Sequence, residues 1–165
     1  MDSHLLDILA DHQQRVRAII GRVAPMLDEQ HAPDPVAISR LRWELVRALN
    51  AYQQFKHRSI FDPAIAGRCP RAKVMGEALK ADCLAIGADY TRFVQHWTSR
   101  GTADHWPEYR HAALDMRKRI GRHLDREQQK VGSLIQSQAL SATARAAIPP
   151  RAAFPPPAGR PIPAG

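Results

Sequence analysis

Cysteine is nearly absent from this chain, with only Cys69 and Cys83 among 165 residues. Two cysteines cannot make the disulfide framework of a small secreted domain, so both read as thiols of a reducing compartment. No apolar run approaches the ~20 residues that a membrane span needs. The start, Met1-Asp2-Ser3-His4, lacks the basic region and small-residue cleavage site of a secretory signal. The expectation is a soluble cytoplasmic protein with no membrane partner. Strand-like alternation and hairpin signals are also missing, which argues against a β fold. Nucleophile elbow, P-loop and dinucleotide fingerprint are all lacking.

What the chain does have is positive charge and unevenly placed proline. Lys and Arg number 24 against 16 Asp and Glu, a formal net charge of +8. Seven of the 13 prolines fall between Pro149 and Pro163, interleaved with Ala, Arg and Gly. A helix interior cannot form there and little apolar surface is available to bury, which predicts a disordered, polyproline-leaning tail. The Ala/Ser-rich stretch before it reads as a fraying helix end. The expected division is a helical domain over residues 1–135, followed by 136–165 as frayed end and tail.

Within the domain a helical period occurs four times. Ser3 is a plausible N-cap for helix A, which carries Leu5, Leu9, Val16, Ile19, Val23 and Met26 at steps of three and four. The gap in that stripe is filled by His12, and the helix is expected to run to about Glu29. Helix B begins near Val36 and is predicted to stop before Pro63, which disfavours α space at Asp62. One of its walls carries Val46, Leu49, Gln53, His57 and Ile60. Helix C, from about Val74 to Thr98, shows Leu79, Cys83, Ile86, Tyr90, Phe93 and Trp97, with Asp82 at the edge of the stripe. Helix D runs from Pro107 to about Ile135 and points Tyr109, Ala113, Met116, Ile120, His123, Glu127, Val131 and Leu134 inward. Four long helices with short connections predict an all-α, antiparallel up-down-up-down four-helix bundle.

Counting residues from the loops places the inward polar groups in depth, because each residue rises ~1.5 Å. Asp82 and His123 are level across the C–D connection, as are His57 and Asp82 across B–C. His12 is level with Gln53 across A–B, with His57 one turn further. Thus His12, His57, Asp82, His123 and Glu127, with Gln53 as a possible addition, are expected in one layer of the core. Burying such groups unpartnered costs several kcal/mol each, so they must bond one another or a metal ion. Imidazoles mixed with carboxylates suit non-haem iron, manganese or zinc. His123 and Glu127, at i and i+4, reach one ion from a single helix face.

This order of residues resembles the hemerythrin-like, or HHE cation-binding, family. His12 in LADHQQRV matches the first family His, and RHLDREQQKVGSLI matches the helix D motif through His123 and Glu127. In helix B, YQQFKHRSIFDPAI has two registers. Either His57 takes the His position with Phe61 in place of Glu, or alignment on Pro63 puts Gln53 at the His position and His57 at the Glu position. The depth count favours the second. In helix C, Asp82 stands where the family has His. The resemblance implies a four-helix bundle with a non-haem di-iron centre that binds dioxygen or another small diatomic. The divergent ligands imply one ion or an altered pair, with another divalent metal as an alternative to iron.

Other function classes have weaker footing. Helix D carries Arg110, Arg117, Lys118, Arg119, Arg122, Arg126 and Lys130 on its outer face. This supports the alternative of a metal-free interaction module that binds an acidic protein or nucleic acid. The missing interleaved aromatics and helix-turn-helix spacing argue against nucleic acid. Ferritin-like oxidases use paired Glu-x-x-His motifs, and the single instance, Glu108 with His111, lies far from the layer. A binding or sensing protein is therefore expected in preference to an enzyme. Cys83 reads as a small core residue before it reads as a redox-sensitive thiol.

Overall fold

The computed structural model describes residues 2–146. They are all-helical, with no strand among the described residues. In chain order the helices are α1 (Asp2–Asp28), α2 (Pro35–Lys56), a π-helical segment (His57–Phe61), α3 (Asp62–Ala66), α4 (Pro70–Arg100) and α5 (Trp106–Ala146).

Local chemistry sets most boundaries. Asp34 caps α2, its carboxylate accepting from the Val36 N–H at 2.9 Å, with Pro35 as a pre-formed first residue. Pro70 opens α4 in the same way, four residues earlier than the apolar period suggests. Gly101, at φ 80°, ends that helix, a conformation that an L side chain resists.

Helix B differs from expectation at its end. Pro63 does not stop it, and Asp62 sits in the right-handed helical region at φ −62° and ψ −42°. The backbone widens into the π-segment over His57–Phe61, where the Asp62 N–H donates to the His57 carbonyl. Pro63 then falls in the first turn of α3, where a missing N–H removes no helical bond. At the other end of the chain, α5 continues unbroken past Ile135 to Ala146. The proline-rich tail lies outside the described residues.

α1 packs on α2 and α5, and α4 packs on the same two helices, so four long helices surround a shared core as in a helical bundle. The main apolar cluster includes Leu9, Val16, Tyr52, Phe61, Leu79, Ile120 and Leu134. A smaller one joins Leu27, Ile38, Trp97, Trp106, Tyr109 and Ala113. Among the described residues no helix is long and apolar enough to cross a membrane.

Candidate metal centre

The most buried ionisable groups lie in one polar layer between α1, α2, α4 and α5. On α2, Tyr52 and Lys56 fall one turn apart on the inner stripe that runs through Leu45 and Ala48. On α5, His123 and Glu127 do the same. Glu127 is 1% exposed and Lys56 is 1% exposed, so both are shielded from water.

Glu127 is held from two sides. Lys56 Nζ donates to its Oε1 at 2.5 Å, and the Tyr52 hydroxyl donates to its Oε2 at 2.8 Å. Gln13 Nε2 donates in turn to the Tyr52 oxygen at 2.9 Å, and the Lys56 ammonium sits 3.9 Å from the centre of the Tyr52 ring. The result is a directed chain from Gln13 through Tyr52 to Glu127, closed by a cation. Burial alone would push the Glu127 carboxyl up. The His123 imidazole and the Lys56 ammonium outweigh it and hold the group below its ordinary value. Burial pushes the Tyr52 hydroxyl strongly up, so it stays a donor.

His123 is placed differently. Its Nε2 lies 3.2 Å from Glu127 Oε1, yet off the line that a hydrogen bond needs, and it is buried with no hydrogen-bond partner. Cys83 completes a group with these two: ligand atoms of Cys83, His123 and Glu127 all lie within 4.8 Å of one another, and all three residues are buried. Burial pushes the Cys83 thiol up, against the pull of Lys56. Beside the layer is a pocket lined by Leu49, Gln53, Ile86, Ile120 and His123, among others, with about 340 Å³ of empty space including its mouth.

The structure brings together His123 and Glu127; His12 and His57 stand around the layer without joining that group. His12 is half-buried and stacks on Phe55 and Tyr52, ring centres 5.2 and 5.8 Å apart. Desolvation in that sandwich lowers its basicity. His57 is half-buried in the π-segment, 5.7 Å from the Phe61 ring, and its Nε2 is buried without a hydrogen-bond partner. Desolvation first, then Lys80 and Lys56, lowers its basicity too. Gln53 lines the pocket, close enough to Gly87 that a Cβ there would meet its Oε1 at 2.8 Å. Asp82 corrects the sequence reading outright: it is exposed. The inner face of α4 runs through Gly76, Leu79, Cys83 and Tyr90. One residue from Cys83 is ~100° around the helix, which turns Asp82 to solvent.

Lys56 and Gln13 have no counterpart in that predicted set. Their spacing carries a signal, since Lys56 follows Tyr52 by four and Gln13 follows Leu9 by four. Both were absent from the stripes because their types seldom enter a core.

These residues do not fit an iron pair. α4 offers a thiol where the resemblance implies a ligand at Asp82, α1 offers a stacked imidazole, and the Lys56 ammonium lies on Glu127. Cys83, His123 and Glu127 offer the donor types that a single transition-metal ion takes, with Lys56 on one Glu127 oxygen and Tyr52 on the other. Around such an ion sulfur, nitrogen and oxygen donors stand ~2.0–2.3 Å from the metal, so binding would require the Lys56 ammonium to draw back from Glu127. The chain matches no protein-family model, no curated protein and no solved structure.

Proposed function

We propose that the chain is a hemerythrin-like bundle, its long helices in antiparallel up-down-up-down order. In this reading it binds a single transition-metal ion, non-haem iron by resemblance, through Cys83, His123 and Glu127. The observation that carries this is the buried convergence of Cys83, His123 and Glu127, with His123 Nε2 3.2 Å from Glu127 Oε1 and outside strict hydrogen-bond geometry. A thiolate, an imidazole and a carboxylate together suit first-row transition metals and leave positions open. Iron bound there supplies a redox-active centre with room for a small diatomic ligand such as O2. The chain's own part is to hold the three donors, exclude water with Leu124 and Ile120, and offer the adjoining pocket as the way in. Binding and sensing fit this arrangement.

A second reading is favoured by Lys56. Its ammonium already neutralises Glu127, so the layer is also self-consistent as a metal-free core. The functional surface would then be α5, where Lys118, Arg122, Arg126 and Lys130 form an exposed stripe with four-residue steps. Arg110 and Arg119 are engaged within the fold, with the Leu27 carbonyl and Asp89. The stripe fits an acidic protein surface better than nucleic acid, because no exposed aromatic accompanies it.

Metal analysis separates the two. After expression in iron-replete medium the first reading expects about one ion per chain, lost in His123→Ala and in Cys83→Ala. Lys56→Met removes the competing cation and is expected to raise occupancy. Under about a third of an equivalent in the native chain overturns the first reading, whatever Lys56→Met binds.

A further inference from the structure

Away from the layer, on the same helix, Arg42 is buried to 7% exposure with no carboxylate within ion-pairing distance among the described residues. Its Nε and Nη1 are both out of solvent and have no hydrogen-bond partner. Tyr109 lies under the guanidinium, 5.9 Å from ring centre to Cζ, and the Tyr90 hydroxyl donates to the Arg42 carbonyl oxygen at 3.1 Å. A buried guanidinium cannot shed its proton, so an uncompensated one is expensive to keep. Structural arginines normally find a carboxylate or carbonyl; this one has the ring and hydroxyl of Tyr109, which leaves its Nε and Nη1 without a partner.

The same guanidinium lines a half-open pocket to which all four long helices contribute walls. Ile20, Leu45, Phe93 and Met116 form walls, and the half-exposed Arg117 stands beside them. The lining is that of a small-molecule site: mostly apolar, with a small number of oriented polar groups. The charge tells what the polar end of a ligand must be. One desolvated guanidinium matches one planar monoanion, and a carboxylate presents two oxygens to its fork. A phosphate dianion would need further buried cations that the walls lack. The apolar walls require that the rest of the ligand be hydrocarbon.

We propose that this pocket binds an apolar monocarboxylate, the acid group on Arg42 and the hydrocarbon among Ile20, Leu45, Phe93 and Met116. Arg42 precedes Lys56 by fourteen residues, ~20 Å along α2, so the site is separate from the metal centre and stands or falls without it. Ile120 borders both pockets, which puts the ligand one side chain from the layer.

Calorimetric titration of the full chain with octanoate, 1-octanol and octylamine tests this. Octanoate is expected to bind one per chain. Octanol is expected to bind about tenfold or more weaker and octylamine not at all, since each loses the charged hydrogen bonds to Arg42. Arg42→Met, which keeps the apolar stem, is expected to remain folded and to lose octanoate by a similar factor. Equal binding of octanoate and octanol, or no octanoate binding at millimolar concentration, overturns the proposal. So does full retention of octanoate binding by Arg42→Met. The first two comparisons use the native chain and hold even if the variant fails to fold.

Discussion

The ammonium of Lys56 and the carboxylate of Glu127 meet at 2.5 Å with each side chain only 2% exposed. The residues are 71 positions apart, so this contact ties α2 to α5 through the centre of the molecule. Two charges out of water repay their desolvation only while they remain together. Lys56→Met or Glu127→Leu alone strands a buried charge, and each is expected to cost about 3–5 kcal/mol in urea unfolding. The double variant should recover part of that loss, because it strands no charge, although the buried Tyr52 hydroxyl loses its acceptor. A double variant as unstable as the sum of the two singles would show that the pair itself, and not the avoidance of a lone charge, carries the stability.

Acid should weaken the fold in two stages. His12 and His57 both hold a proton less readily than an unfolded histidine, whose ordinary value is 6.5, chiefly because burial disfavours the cation. The unfolded chain therefore takes up protons first, and stability present above pH 6.5 declines as the pH falls below it. Glu127 is depressed below its ordinary 4.5 by His123 and Lys56 despite its burial. Its contribution is complete above that value and is lost as the pH drops further. Unfolding free energy measured from pH 7.5 to 3.5 should show both declines. The variant His12→Phe/His57→Phe should flatten the upper one and leave the lower one in place. An upper decline of unchanged slope in that variant would contradict the assignment.

Height along a bundle is legible in a sequence; direction around each helix is less so. The apolar period of helix D, unbroken on both sides of His123 and Glu127, marks them as an inward pair, and both are buried. The same count puts Asp82 at the level of His123 but says nothing of its angle, and the stripe through Leu79 and Cys83 turns it outward. Lys56 follows the stripe by spacing, four residues after Tyr52, but a lysine enters a core only against a specific partner, and Glu127 is far along the chain. The end of helix B is hidden for a related reason. Pro63 ordinarily closes a helix, and only the widened turn over His57–Phe61 lets the chain pass through it.

Two helical glycines should respond oppositely to alanine. Gly21 in α1 is exposed, and a Cβ there meets nothing within 4 Å. Gly21→Ala is expected to stabilise by about 0.5–1 kcal/mol through the lower entropy of the unfolded chain. Gly76 is buried where α4 crosses α3. A Cβ would stand 3.2 Å from Ala64 Cβ and from Ile65 Cγ1, with the Phe61 carbonyl oxygen at 3.4 Å. Ala64 is itself fully buried and has nowhere to retreat. Overpacking of about 1–3 kcal/mol then cancels or exceeds the helical gain, so Gly76→Ala should not stabilise. Thermal unfolding of the two variants side by side measures the contrast, and a matching rise in both would refute the close α3–α4 approach.

Thiol labelling should distinguish the two cysteines and report on the metal centre together. Neither is in a disulfide; Cys69 is half-buried in the α3–α4 connection and Cys83 is buried in the layer. A thiol reacts as its thiolate and only where a reagent can reach it. Burial both shields Cys83 and pushes its proton affinity up. In the native chain a disulfide-exchange reagent should therefore label one thiol quickly and the second only at the rate of opening. Lys56→Met withdraws the ammonium that favours the Cys83 thiolate, so its labelling relative to opening should slow further. Added ferrous or zinc ion, if held by Cys83, should suppress labelling of that thiol without changing the rate at Cys69. Equal native-state rates at both positions would mean that Cys83 is open to solvent, and neither the buried layer nor its donor trio would stand.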